Sequence, residues 1–170
     1  MFDLIMKGGL IIDGTGASPY PADLAVKGQK IADIGNLEFA SAKRVLDIDA
    51  LVVAPGFIDT HVHTDAALLN YPQHKSAIQM GVTTEVLGQD GLSYAPLNPE
   101  NYRSYSEYMS GLCGMPPPEL DMSSISSFRS HYHRTCSVNT VALVPHCALR
   151  LSAVGFNDVP LTGDSLESAK

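Results

Sequence analysis

The chain has 170 residues, 45% of them hydrophobic and 17% charged, with a formal net charge of −7. That length holds one ordinary domain, or a small domain and part of a larger one, and the apolar share is enough to bury a core, which excludes a disordered chain. The acidic balance excludes a nucleic-acid binder, which needs a basic stripe, and equally a protein held on an anionic membrane surface.

The opening "MFDLIMKGGLIIDG" has no basic leader and no small-residue cleavage site, so no secretory signal is expected. No apolar run approaches the length of a membrane span. Cys113, Cys136 and Cys147 are odd in number and irregularly spaced, which points to a reduced, cytoplasmic setting.

In chain order, the first elements predicted are short strands joined by glycine turns. "DLIMKGGLIIDGTG" holds two apolar runs about Lys7-Gly8-Gly9 and reads as a hairpin, and "ADLAVKGQKIADIG" repeats the design about Lys27-Gly28-Gln29. "RVLDIDALVVAPGFID" carries two further runs. This meander is too small to stand alone and reads as a β-module that packs on something larger.

From about residue 51 the pattern changes to alternating strands and helices. "LVVAPGFIDTH" is a nearly continuous apolar run, as buried parallel strands are. "AALLNYPQHKSAIQMG" predicts one helix or two short ones, broken near Pro72 and closed by Gly81. "VTTEVLG" is a second strand and "QDGLSYAPLNP" a loop. "PENYRSYSEYMSGL" is a helix with proline at its start and an end near Gly111. Pro116-Pro117-Pro118 is a stiff connector, "DMSSISSFRSHYHRTC" another helix and "VNTVALVPH" a third strand. Beyond it, "CALRLSAVGFNDVPLTGDSLESAK" reads as loop. Strand–helix–strand–helix–strand opens a parallel α/β structure, and a (β/α)₈ barrel takes about 250 residues, so a barrel would be incomplete here.

The chemistry gathers where the strands should end, the usual place for active sites in parallel α/β folds. His61 and His63 alternate with Val62, so on an extended strand both imidazoles share a face. A divalent metal such as zinc accepts neutral imidazole nitrogens and carboxylate oxygens. A bare pair of this kind is weak evidence; the apolar strand, Pro55-Gly56 before it, and Asp59 and Asp65 on either side strengthen it. Asp90, in Gln89-Asp90-Gly91 at the second strand end, would project into the same mouth, although Asp-Gly is also a common turn dipeptide. His146 ends the third run, where a capping or supporting histidine is the plainer reading. His131 and His133 repeat the spacing, but on a predicted helix residues two apart do not share a face, and no metal role is assigned to them.

"MKGGLIIDGTG", "DLAVKGQKIADIG", "LDIDALVVAPGFIDTHVHTD" and "GVTTEVLGQDGLSYAP" resemble the N-terminal region of the amidohydrolase superfamily, in its D-aminoacylase (N-acyl-D-amino-acid deacylase) branch. The likeness covers residues 2–98 well and "NTVALVPHCALR" less tightly. It implies an α/β fold: part of a small β-sandwich (residues 1–56) followed by the first strands and helices of an incomplete (β/α)₈ barrel (residues 57–170). It carries metal binding over to His61 and His63. Where D-aminoacylases commonly place a cysteine ligand in Asn-Cys-Gly, this chain has Asp90, which would ligate through oxygen and give a harder site. Asp65 and His146 are assigned to substrate contact or support, with support favoured for His146.

The implied reaction is metal-dependent hydrolysis of N-acyl-D-amino acids. It would use one or two zinc ions, or another divalent metal, and a general acid–base aspartate expected beyond these residues. The expected partner is a small-molecule N-acyl amino acid, with no nucleic acid and no membrane, and with self-association through an exposed barrel edge. Two other readings stand beside this one: a cyclic-amide hydrolase of the dihydroorotase or hydantoinase kind, and a truncated, non-catalytic remnant.

Overall fold

The structure is a computed structural model and describes residues 1–170. It divides into two compact units, Met1–Pro55 and Gly56–Lys170.

The first unit is a mixed five-stranded sheet. β1 (Phe2–Ile11) pairs antiparallel with β2 (Tyr20–Lys27), which pairs antiparallel with β3 (Lys30–Gly35). On its other edge β1 pairs in parallel with β4 (Ala42–Asp47) through its first half and with β5 (Val52–Val53) through its second. The hairpin about Lys27-Gly28-Gln29 is present, with Gly28 at φ 61°. The hairpin expected about Lys7-Gly8-Gly9 is not: β1 runs straight through it and takes up the glycines as a bulge between Met6 and Gly9. Gly8 lies at φ 82°, and its N–H leaves the ladder to donate to Asp23 Oδ1 at 2.9 Å. The glycine pair thus provides a local kink rather than a reversal. Ile5 and its cross-strand partner Ala25 are fully buried with Leu37, a small core for one face of the sheet.

The second unit is built on a three-stranded parallel sheet in the order β6 (Phe57–Asp59), β7 (Val82–Leu87), β8 (Asn139–Ala142). The run "LVVAPGFIDTH" is therefore not one buried strand. Pro55 has no N–H to continue a ladder, so the run divides there between two sheets, and Phe57 and Ile58 stay exposed. Gly56 lets β6 approach β7 closely, since a Cβ there would meet the Thr83 side chain at 2.1 Å.

Two short helices, α1 (Asp65–Asn70) and α2 (Lys75–Gln79), connect β6 to β7. α3 (Pro99–Cys113) and α4 (Ile125–Tyr132) connect β7 to β8. Their starts follow capping chemistry: Asn98 accepts from the Asn101 N–H and Ser124 from the Ser127 N–H. α3 continues past Gly111 and stops at Gly114, φ 82°. It buries Tyr102, Tyr105, Ser106, Met109 and Cys113, one helical stripe, and Tyr94 meets Tyr102 and Tyr105 edge-on. Beyond β8 the expected loop is in fact two helices, α5 (His146–Val154) and α6 (Asp164–Ser168). α5 buries Ala148 and Leu151, three residues apart, a stripe too short to stand out from the surrounding polar sequence.

Candidate metal centre

His61 and His63 lie just past the end of β6, in the loop that enters α1, rather than on the strand itself. The loop still brings them together, with ring centroids 5.7 Å apart and planes at 79°. Asp90 faces them from the turn after β7. It is a non-glycine residue at φ 57°, between Gly88 and Gly91, which also have positive φ. The turn reading of Asp-Gly is met, and the left-handed turn is what aims the carboxylate toward the two imidazoles. Asp90 Oδ2 is 3.2 Å from His61 Nε2 and 3.3 Å from His63 Nε2. One donor atom from each of the three residues falls within 4.8 Å of the others. His61 and Asp90 are more than half exposed and His63 is mostly buried, so the cluster has one closed and one open side.

Behind the cluster, His63 Nδ1 lies 3.9 Å from the Sγ of buried Cys113 at the end of α3. Burial, with the Asp65 carboxyl nearby, pushes that thiol up to about 11. Asp65 begins α1 and is wholly buried. Its Oδ1 accepts from Ser93 Oγ at 2.5 Å and its Oδ2 has no partner. Burial pushes its carboxyl up to about 6, against the opposing pull of the Ser93 hydrogen bond and of His63. It therefore stands behind the cluster and is not gathered into it. His146, the first residue of α5, is exposed and packs its backbone and Cβ side against Gly91, a Cβ on which would come within 3.4 Å. His131 Nε2 sits 2.9 Å from the Asp121 carbonyl oxygen, and His133 is exposed beyond the end of α4.

The sequence reading missed a buried network beside the cluster. Glu85 on β7 is 2% exposed; its Oε2 accepts from Thr64 Oγ1 at 2.6 Å, and its Oε1 lies 2.8 Å from His74 Nε2. The available signal was a lone charge inside the apolar strand "VTTEVLG".

A D-aminoacylase of Alcaligenes xylosoxydans is 49% identical over 96 residues, 56% of this chain and 20% of its own length. An N-acyl-D-glutamate deacylase of the same organism is 38% identical over 153 residues, 89% of this chain and 30% of its own length. The solved N-acyl-D-glutamate deacylase of Bordetella bronchiseptica, complexed with zinc and a phosphonate mimic of the tetrahedral intermediate, superposes on 99% of this chain with a TM-score of 0.83 and 32% identity. Relatives named as D-aminoacylase and N-acyl-D-glutamate deacylase, and solved structures of the D-aminoacylase family of amidohydrolases, thus cover most of this chain. The chain spans about a third or less of the length of these D-aminoacylase-family relatives, 34% in the solved structure. No protein-family model matches it. No helix is long and apolar enough to cross a membrane.

Proposed function

We propose that this chain contributes the first metal-holding elements of an enzyme that hydrolyses the amide bond of N-acyl-D-amino acids. The observation that carries the reading is the meeting of His61 Nε2 and His63 Nε2 on Asp90 Oδ2, at 3.2 and 3.3 Å. Two imidazole nitrogens and one carboxylate oxygen form a donor set that zinc accepts, and three protein ligands with an open side suit a catalytic rather than a structural site. A divalent ion held there would polarise an amide carbonyl and lower the pKa of water.

The chain's own residues bind and orient. With its proton on Nδ1, toward the Cys113 sulfur, the His63 ring keeps the Nε2 lone pair free to ligate. Asp90 supplies the charged oxygen donor, and His146 backs the turn that carries it. Asp65 steadies the start of α1 through Ser93. We assign no proton-moving residue within the chain and place that role on an aspartate outside these residues. Residues 1–56 are read as half of a composite β-sandwich and residues 57–170 as the opening of a (β/α)₈ barrel. The names of the relatives supply the substrate class, small-molecule N-acyl-D-amino acids.

Elemental analysis of the purified chain tests this, beside a His61→Ala/His63→Ala variant. Near-stoichiometric zinc in the first and its loss in the second are expected; metal-free protein in both would overturn the reading. Because the proton-moving aspartate is placed outside these residues, the chain alone is expected to hold metal without hydrolysing N-acetyl-D-amino acids. Turnover of them by the chain alone would overturn that placement, and turnover of a hydantoin instead would favour the cyclic-amide hydrolase.

A further inference from the structure

We propose that Glu85, held by His74, is a positioning residue for the metal centre: through Thr64 it fixes the loop so that the His61 and His63 imidazoles converge on Asp90. The inference rests on the metal reading above and concerns residues outside its ligand set.

A buried carboxylate is costly unless both oxygens are satisfied, and those of Glu85 are, by two residues of the single segment between β6 and β7. Thr64 is the residue after His63 and stands at the N-cap of α1; His74 stands at the N-cap of α2. Neither side chain caps its helix. A threonine at that position normally accepts from the helix's own N–H groups, and here its hydroxyl is donated to Glu85 instead. His74 also adopts φ 37°, ψ 51°, a left-handed conformation that a non-glycine residue holds only when its surroundings impose it. Two helix starts have thus given up local stability to reach one carboxylate.

The other end of the loop is pinned in the same way. Asp59, which faces Glu85 across the β6–β7 register, accepts from the His61 N–H at 3.2 Å. The backbone is therefore fixed at His61 and immediately after His63, leaving the two rings to meet over Asp90. Removing the Thr64 hydroxyl frees one of the two anchors without touching a ligand.

The test compares Thr64→Val, Thr64→Ser and the unaltered chain, with Ser124→Ala at the α4 cap as a control that lowers stability at a distance. Cobalt(II) affinity by chelator competition and the cobalt d–d spectrum are read beside urea stability. In Thr64→Val, affinity should fall about 10- to 100-fold, as is usual when the support of a metal ligand is lost, with a changed spectrum. Thr64→Ser should restore both, and Ser124→Ala should change neither. Unaltered affinity and spectrum in Thr64→Val, or a loss no greater than in Ser124→Ala, would overturn the inference. Imidazole and amide NMR of metal-free protein keeps the two readings apart. If the unaltered chain takes up no cobalt, the metal reading fails. Positioning is then decided by His63, whose signals should shift and lose order in Thr64→Val and would refute it by staying unchanged.

Discussion

Asp121 shows how an exposed carboxylate can still carry a defined share of stability. Ser123 N–H donates to its Oδ1 at 3.0 Å and Ser127 Oγ to its Oδ2 at 2.8 Å, just before α4. Hydrogen bonds from Ser123 first, and from Ser127, hold the carboxyl at about 2 against an ordinary 3.8. A lowered folded pKa favours the ionised form in the fold, so this contribution is present above pH 3.8 and is lost as the pH falls through about 2. Urea midpoints taken between about pH 5 and pH 2 should fall in that window, and Asp121→Asn should flatten part of the fall. Identical profiles would remove Asp121 from the acid transition. At this scale the sequence showed the His61/His63 pair through its spacing and Asp90 through its place after an apolar strand. It could not show that Asp65 is buried or that Glu85 has two partners, because both depend on which distant residues pack nearby: Ser93 for one, Thr64 and His74 for the other.

The elements were legible where one local rule decided them. The β2–β3 turn, the break between α1 and α2, and the proline start of α3 each follow from one or two residues. Lys7-Gly8-Gly9 was misread because positive φ at glycine serves a bulge as well as a turn, and only the pairing of Gly9, Leu10 and Ile11 with Ala22, Pro21 and Tyr20 shows that β1 goes on. Gly56 and Gly111 illustrate how differently two glycines act. A Cβ at Gly56 would meet Thr83 Cγ2 at 2.1 Å and Oγ1 at 2.2 Å, whereas nothing lies within 4 Å of one at Gly111. Gly56→Ala should cost about 1–3 kcal/mol by overpacking. Gly111→Ala, inside α3, should gain roughly 0.5–1 kcal/mol through helix propensity. Denaturant unfolding of both variants checks the contrast, and equal effects at the two positions would remove the close approach of β6 to β7 as its cause.

For the whole molecule, the alternation of apolar strands and helices was enough to indicate the parallel sheet β6-β7-β8. Hydrophobicity alone does not mark the division at Pro55, because Leu51–Asp59 is one apolar run and an apolar pattern is blind to where hydrogen-bond partners change; the boundary expected between residues 56 and 57 came from the family resemblance. In the three-stranded sheet β6 and β8 each have one neighbour, and Phe57, Ile58, Val141 and Val144 are between 49% and 66% exposed. Open strand edges beside exposed apolar side chains favour association. Sedimentation of the 170-residue chain should show mass rising with concentration, and an Ile58→Lys/Val141→Lys variant should remain at monomer mass. Concentration-independent mass in the unaltered chain would contradict the edge argument.

In the other sheet the connectivity has a different consequence. β1 pairs with β2 on one side and with both β4 and β5 on the other, and none of those three pairs with another of the three. The first stretch of chain is therefore the hub through which every path across that sheet runs, and not a rim that can be shaved. Trimming within Phe2–Ile11 would cut the β2–β3 hairpin off from β4 and β5 at once. Changes within this first stretch act on the middle of its sheet.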